Sequence, residues 1–264
     1  MEETIAEQKE ITEKVRHRLP MPRLEHTFQE QDIIDFDGRI RRVLQQDTPV
    51  RYTVEPEIEG QAVEIVYEKG TLTVASTRGD GYVGELVTPN VKTILTVPLT
   101  LIQIPPEGGS PIPDLLEVRG VIYVETEAFE VLNRERVEKN LPPFKGPADA
   151  AADALSQPNL RVTAKKPLNM FCTGIGEMSG PELDTQYELM TTLQQWSLRV
   201  NRPHIKVCDG VGEVVEYCHR LKEMRSQFPY KIGGAVVNVN QRSLQARLGD
   251  ISGSHGWAIA YKLW

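Results

Sequence analysis

Three glutamates stand at alternate positions in the run Val54-Glu55-Pro56-Glu57-Ile58-Glu59-Gly60. On a pleated strand successive side chains point to opposite faces, so Glu55, Glu57 and Glu59 project together. A row of carboxylates can grip a divalent cation when other ligands complete the shell. No such ligands can be placed: His17, His26, His204, His219 and His255 have no paired metal spacing, and Cys172, Cys208 and Cys218 make no C-x-x-C. The turn Arg78-Gly79-Asp80-Gly81 suits a tight loop, since glycine and aspartate adopt turn conformations without any ligand, and it equally suits a ribose site. Asp209-Gly210-Val211-Gly212 lacks the glycine spacing and lysine of a phosphate loop, so it reads as the cap of the helix that follows.

The elements that must position these residues follow from periodicity. Residues 2–17 are charged and rich in helix formers, a solvated helix or loose tail stopped by Pro20 and Pro22. Ile33, Ile34, Phe36, Ile40 and Val43 predict a surface helix over 32–44. From Arg51 the pattern turns to short β-rich runs broken at Glu68-Lys69-Gly70, which is a hairpin signal. Further strands are expected at 94–101, 116–124, 168–175, 235–239 and 258–263. Helices are expected at 127–139, 182–196 and 211–226, with a short one inside 146–159. Antiparallel hairpins with inserted helices make the class α+β.

Composition sets outer limits. Hydrophobic residues at 40% and charged residues at 25% are ordinary for a soluble globular chain. The formal net charge of -7 repels a phosphate backbone, so nucleic-acid binding would need a local basic patch. An odd number of cysteines fits a reducing compartment, and no apolar run is long enough to span a bilayer. The expected location is cytoplasmic, with no membrane contact.

Three stretches carry a specific resemblance: the glutamate run; Ser76-Thr77-Arg78-Gly79-Asp80-Gly81 with Gly84-Glu85; and Trp257-Ala258-Ile259-Ala260-Tyr261-Lys262. Together with Leu116-Glu117-Val118-Arg119-Gly120, Tyr230-Lys231-Ile232-Gly233-Gly234-Ala235-Val236-Val237 and Leu244-Gln245-Ala246-Arg247-Leu248-Gly249, they resemble the nucleotidyltransferase motifs of bacterial NAD-dependent DNA ligases. The likeness runs from about residue 18 onward. It implies an ATP-grasp-like nucleotidyltransferase fold of antiparallel sheets flanked by helices, one adenylation domain over 18–264 after a charged segment at 1–17. Neither an OB-fold nor zinc, helix-hairpin-helix or BRCT modules are expected within it.

The resemblance also says what chemistry to look for. In the family a lysine in a K-x-D-G pattern attacks the adenylyl phosphorus of NAD and carries AMP as a phosphoramidate. Here that position is Glu57, and the motif aspartate is Glu59. The acidic residue after Arg-Gly is Val121, the second lysine is Asn238, the aspartate of that run is Gly233, and the adenine-stacking aromatic is Thr173. The Ser-Leu pair lining the pocket appears as Arg23-Leu24. Glu55, Arg78, Lys262 and Leu24 match the family's nucleotide contacts, and Arg78 and Lys262 are expected to neutralise the glutamate row rather than bind nucleotide. The DNA-facing loop has lost both arginines, as Ala148 and Ser156, and gained Asp149 and Asp153, so DNA binding is expected to be weak or absent. The expectation is a catalytically inactive relative needing no cofactor, with NAD implied by resemblance alone, that serves as an interaction or regulatory scaffold for a protein partner. The alternatives are a divergent nucleotidyltransferase and, more weakly, a non-catalytic DNA-binding module.

Overall fold

A computed structural model describes residues 13–105, 109–251 and 254–264. The strands are β1 (Lys14–Arg16), β2 (Arg23–Thr27), β3 (Arg51–Ile58), β4 (Gln61–Glu68), β5 (Thr71–Thr77), β6 (Val83–Glu85), β7 (Leu115–Val124), β8 (Leu168–Ser179), β9 (Lys206–Asp209), β10 (Ile232–Val239), β11 (Asp250–Ile251) and β12 (Ser254–Tyr261). The helices are α1 (Glu30–Leu44), α2 (Thr88–Val91), α3 (Thr126–Glu138), α4 (Pro147–Leu155), α5 (Leu160–Thr163), α6 (Gln186–Gln195), α7 (Val211–Glu223) and α8 (Arg242–Leu248).

Two main sheets result. One runs β11-β12-β10-β3-β9, with β2 added in parallel to β12; the other runs β5-β4-β7-β8, all antiparallel. A small third sheet pairs β1 with β6. The chain passes from the first sheet to the second at Glu59-Gly60, and only glycine fits that corner: a Cβ on Gly60 would lie 2.3 Å from the Ile122 carbonyl oxygen.

Each sheet turns one apolar face to a core of its own. Under the six-stranded sheet, Tyr52, Val54, Val237 and Val239 pack on Ile33, Phe36 and Ile40 of α1 and on Val214, Cys218 and Leu221 of α7. Under the other, Ile65, Val118 and Ile122 pack with Ala151 and Leu155 of α4 and with Leu189, Leu193 and Trp196. Alternation on the strands and a three-to-four spacing on the helices create these faces. All three cysteines are buried and free.

Several expectations need correction. The apolar stripe of α1 excludes Ile34 and Val43, which are exposed; Leu44 takes the buried place. Residues 94–101 form turns rather than a strand: Ile94, Val97 and Leu101 are buried at spacings of three and four, with Ile94 N–H donating to Val91 and Val97 N–H to Ile94. Within the charged segment, residues 1–12 lie outside the described residues, and Lys14–Arg16 is a strand, not helix or tail. Strand β8 runs four residues beyond the expected end, and α6 is shorter than expected because Thr185 caps it by accepting from Glu188 N–H.

Candidate functional site

Strand register builds the site. Directly opposed residues of antiparallel neighbours point to the same face. Thr53, Glu55 and Glu57 on β3 stand opposite Asn238, Val236 and Gly234 on β10, and Asn238 and Val236 in turn oppose Ala258 and Ala260 on β12. Lys262 follows β12 by one residue on this face, and β2 brings His26 alongside Ala260. The other face of the same strands is the apolar core.

At the centre Lys262 Nζ donates to both oxygens of Glu57, at 2.7 Å to Oε1 and 2.6 Å to Oε2. The two side chains are 22% and 20% exposed, shielded enough for the attraction to exceed that of a surface pair. His26 Nε2 lies 3.6 Å from Glu57 Oε1. A Cβ on Gly233 would meet Glu57 Oε2 and Lys262 Nζ, each at 3.3 Å, so the pair fills the space above that glycine.

Glu55 differs from its neighbour. It is buried, and Asn238 Nδ2 donates to its Oε1 at 3.4 Å. No cation reaches it among the described residues. Burial pushes its carboxyl up to about 8, with the Asn238 bond opposing, so the group is largely a neutral acid at pH 7. Next to it, Thr53 Oγ1 is buried with no hydrogen-bond partner.

The expected neutralisation of the row is therefore half right. Lys262 pairs with Glu57, but Arg78 makes no ion pair with any glutamate of the row; burial and the nearby Arg23 both lower its proton affinity. Strand β3 ends at Ile58, so Glu59 sits one residue beyond it, its N–H donating to the Lys231 carbonyl. The structure brings together Glu57, Lys262 and Gly233, and separately Glu55 and Asn238. Val121 and Thr173 stand on the second sheet: Val121 Cγ1 covers Gly60, and Thr173 Oγ1 donates to the Arg119 carbonyl at 3.5 Å. Leu24 is half-buried on β2. Sequence reasoning missed His26 and Thr53; both sit two residues from positions already singled out, Leu24 and Glu55, and alternation alone would have added them.

Over the sheet, α4 turns Ala150, Ala151, Ala154 and Leu155 inward and leaves Asp149 exposed. Gly210 caps α7 with a positive φ of 89°, while Asp209 pairs with Arg51 on the neighbouring strand, so the run 209–212 starts a helix. Among the described residues no group of three or more His, Cys, Asp or Glu side chains could hold a metal. No described helix is long and apolar enough to cross a membrane.

Residues 10–264 match the model of the NAD-dependent DNA ligase adenylation domain. The chain belongs to this family. It is 45% identical over 251 residues to a DNA ligase of Geotalea uraniireducens and 44% identical over 252 residues to one of Geobacter sulfurreducens. These matches cover 94% and 95% of this chain but 36% and 37% of the relatives, so the chain spans little more than a third of their length. Among solved structures, an archaeal ATP-dependent RNA ligase aligns over 92% of this chain and 48% of its own, at TM-score 0.48 and 14% identity. A mycobacterial DNA ligase D complexed with ATP and MES aligns over 81% and 55%, at TM-score 0.44 and 11% identity.

Proposed function

We propose that this adenylation-family domain does not adenylate itself and acts as an interaction or regulatory scaffold for a protein partner. The observation that carries the reading is the bidentate Glu57–Lys262 pair. The family's nucleophile is an amine, and at its position stands a carboxylate whose charge repels a phosphate. Lys262, the amine beside it among the described residues, is bound to both oxygens of that carboxylate. Glu55 as a neutral acid, Thr173 without a ring face and Asn238 without a charge remove further nucleotide contacts. These residues do not fit NAD as an adenylyl donor. The net charge of -7 and the exposed Asp149 support weak or absent DNA binding.

Intact mass after incubation with NAD or with ATP tests this reading. An unchanged mass is expected. A second reading, a divergent nucleotidyltransferase using Lys262, is favoured by the position of that amine at the pocket face. An AMP-sized increase abolished by Lys262→Ala would establish it and end the first.

A further inference from the structure

Two segments that adjoin in the fold gather cations in a chain whose net charge is -7. Residues 88–101 carry Lys92 and no carboxylate, and residues 154–170 carry Arg161, Lys165 and Lys166 and no carboxylate. Asn90 of α2 fastens the two, its Nδ2 donating to Thr163 Oγ1 of α5 at 2.9 Å and to the Gln157 carbonyl at 2.8 Å. Further along, Met170 N–H donates to Thr96 Oγ1 at 3.0 Å. Asn90 and Thr163 are buried where the segments meet, while Lys92, Leu95, Leu160, Arg161, Val162 and Lys165 are exposed.

Two features set this surface apart from an ordinary solvated face. Its cations are uncompensated: among the described residues the side chains of Lys92, Arg161, Lys165 and Lys166 make no ion pair or hydrogen bond, so a ligand breaks no internal pair to reach them. Aliphatic residues also stand among the cations. Leu95 is 100% exposed, and Leu160 and Val162 flank Arg161 in the open. A lone exposed leucine is ordinary, whereas several aliphatic side chains rimmed by charges of one sign offer a partner something to cover.

The chemistry of the patch selects that partner. A phosphate backbone would meet the cations but leave Leu95, Leu160 and Val162 in water, and neither segment has an aromatic ring on which a base could stack. Helix α4, joined to α5 by Thr163 Oγ1 donating to the Ala154 carbonyl at 2.8 Å, adds Asp149 and Asp153 at the border, which a long phosphate backbone would have to pass. A short segment bearing both carboxylates and aliphatic side chains matches both kinds of residue.

We propose that Lys92, Arg161, Lys165 and Lys166, with Leu95, Leu160 and Val162, form a docking surface for a short acidic segment of a partner protein that carries aliphatic residues among its carboxylates. Apolar contact supplies affinity, and charge pairing supplies orientation and partner choice. The inference rests on the reading of this domain as an interaction scaffold and gives the partner its chemistry. It uses no residue of the Glu57–Lys262 site, so the two fail separately: an AMP adduct ends the scaffold reading without changing what binds here, and loss of binding here leaves the mass measurement unchanged.

Selection of a random library of 12-residue peptides, displayed on phage, against the immobilised full chain tests the proposal. Enriched peptides should combine Asp or Glu with Leu, Ile or Val. The strongest of them, made synthetically and followed by fluorescence polarisation, should bind Leu95→Ser about fivefold more weakly and Arg161→Glu with Lys165→Glu at least tenfold more weakly. All three side chains are exposed, so the melting temperature should stay that of wild type. No enrichment, enriched peptides without aliphatic residues, or equal binding to wild type and both variants overturns the proposal. A 20-base-pair DNA duplex or phosphatidylserine vesicles held more tightly than the peptide, and released by Arg161→Glu with Lys165→Glu, would overturn it by assigning the surface to nucleic acid or to a membrane.

Discussion

Glu55 makes stability depend on pH in a way that one conservative substitution can isolate. Its carboxyl lies at about 8 in the folded protein against an ordinary value of 4.5, because burial raises it more than the Asn238 bond lowers it. Between these two pH values the folded state keeps a proton that the unfolded chain has lost. Stability therefore falls as pH rises through this window, and the contribution of the neutral acid is gone above about 8. At about 1.4 kcal/mol for each pH unit, the window caps the effect at about 5 kcal/mol, and relaxation of the site with entry of water reduces it to about 1–3 kcal/mol. Glu55→Gln keeps the shape and the contact with Asn238 but cannot ionise. Urea unfolding of both proteins at pH 5, 7 and 9 reads the difference directly. The variant should match wild type near pH 5 and exceed it by about 1–3 kcal/mol at pH 9. Parallel stability curves at all three pH values would refute the claim that Glu55 is buried as a neutral acid.

Other outcomes follow from the same pocket. A double-mutant cycle with Glu57→Gln and Lys262→Met should give a coupling of about 1–3 kcal/mol in urea unfolding; a value under about 0.5 kcal/mol would place the pair with solvated surface bridges. Glu57→Lys with Glu59→Asp sets two ammonium groups side by side above Gly233, so it should lose about 1–3 kcal/mol in a thermal melt and gain no AMP by mass, while adding Gly233→Asp should recover stability. Rapid adenylation of the double variant by NAD would show an otherwise intact pocket. Gly60→Ala drives a Cβ into the Ile122 carbonyl and should cost about 2–4 kcal/mol or prevent folding, read from expression and melting temperature.

The strands that carry the site were legible because their alternation is strong. Tyr52 and Val54 on one face with Glu55 and Glu57 on the other define β3 from its own residues, and Ala235 to Val239 does the same for β10. Strand β2 was not legible: Arg23-Leu24-Glu25-His26-Thr27 has a single aliphatic residue, and its pairing with β12 comes from backbone bonds that leave no pattern in side chains. Residues 94–101 misled in the opposite way, since their apolar content is high and only the spacing of the buried members shows that they turn. Within the site, Lys262 could be assigned to the glutamate row but not to one glutamate, because the choice depends on the register of β3, β10 and β12 over some two hundred residues of sequence. Arg78 failed as a partner for a related reason, as its place on the turn after β5 is set by the second sheet. The resemblance to the family supplied the motif positions; charge pairing among the substituted residues had to come from geometry.

The two sheets also differ in how their strands are distributed along the chain. All four strands of the β5-β4-β7-β8 sheet fall between Gln61 and Ser179, and its β4–β5 hairpin closes over two residues. The other sheet draws β2 and β3 from before that stretch and β9 to β12 from after it. Contacts between near neighbours close at small entropic cost, whereas β3 meeting β10 must close a loop of most of the chain. The inserted sheet can therefore form during synthesis, and once compact it shortens the remaining loop. The surface that holds Glu57 against Lys262 is assembled last, when β12 emerges to pair with β10, so a stalled or truncated polypeptide would present a folded inserted sheet with unpaired β3 edges beside it.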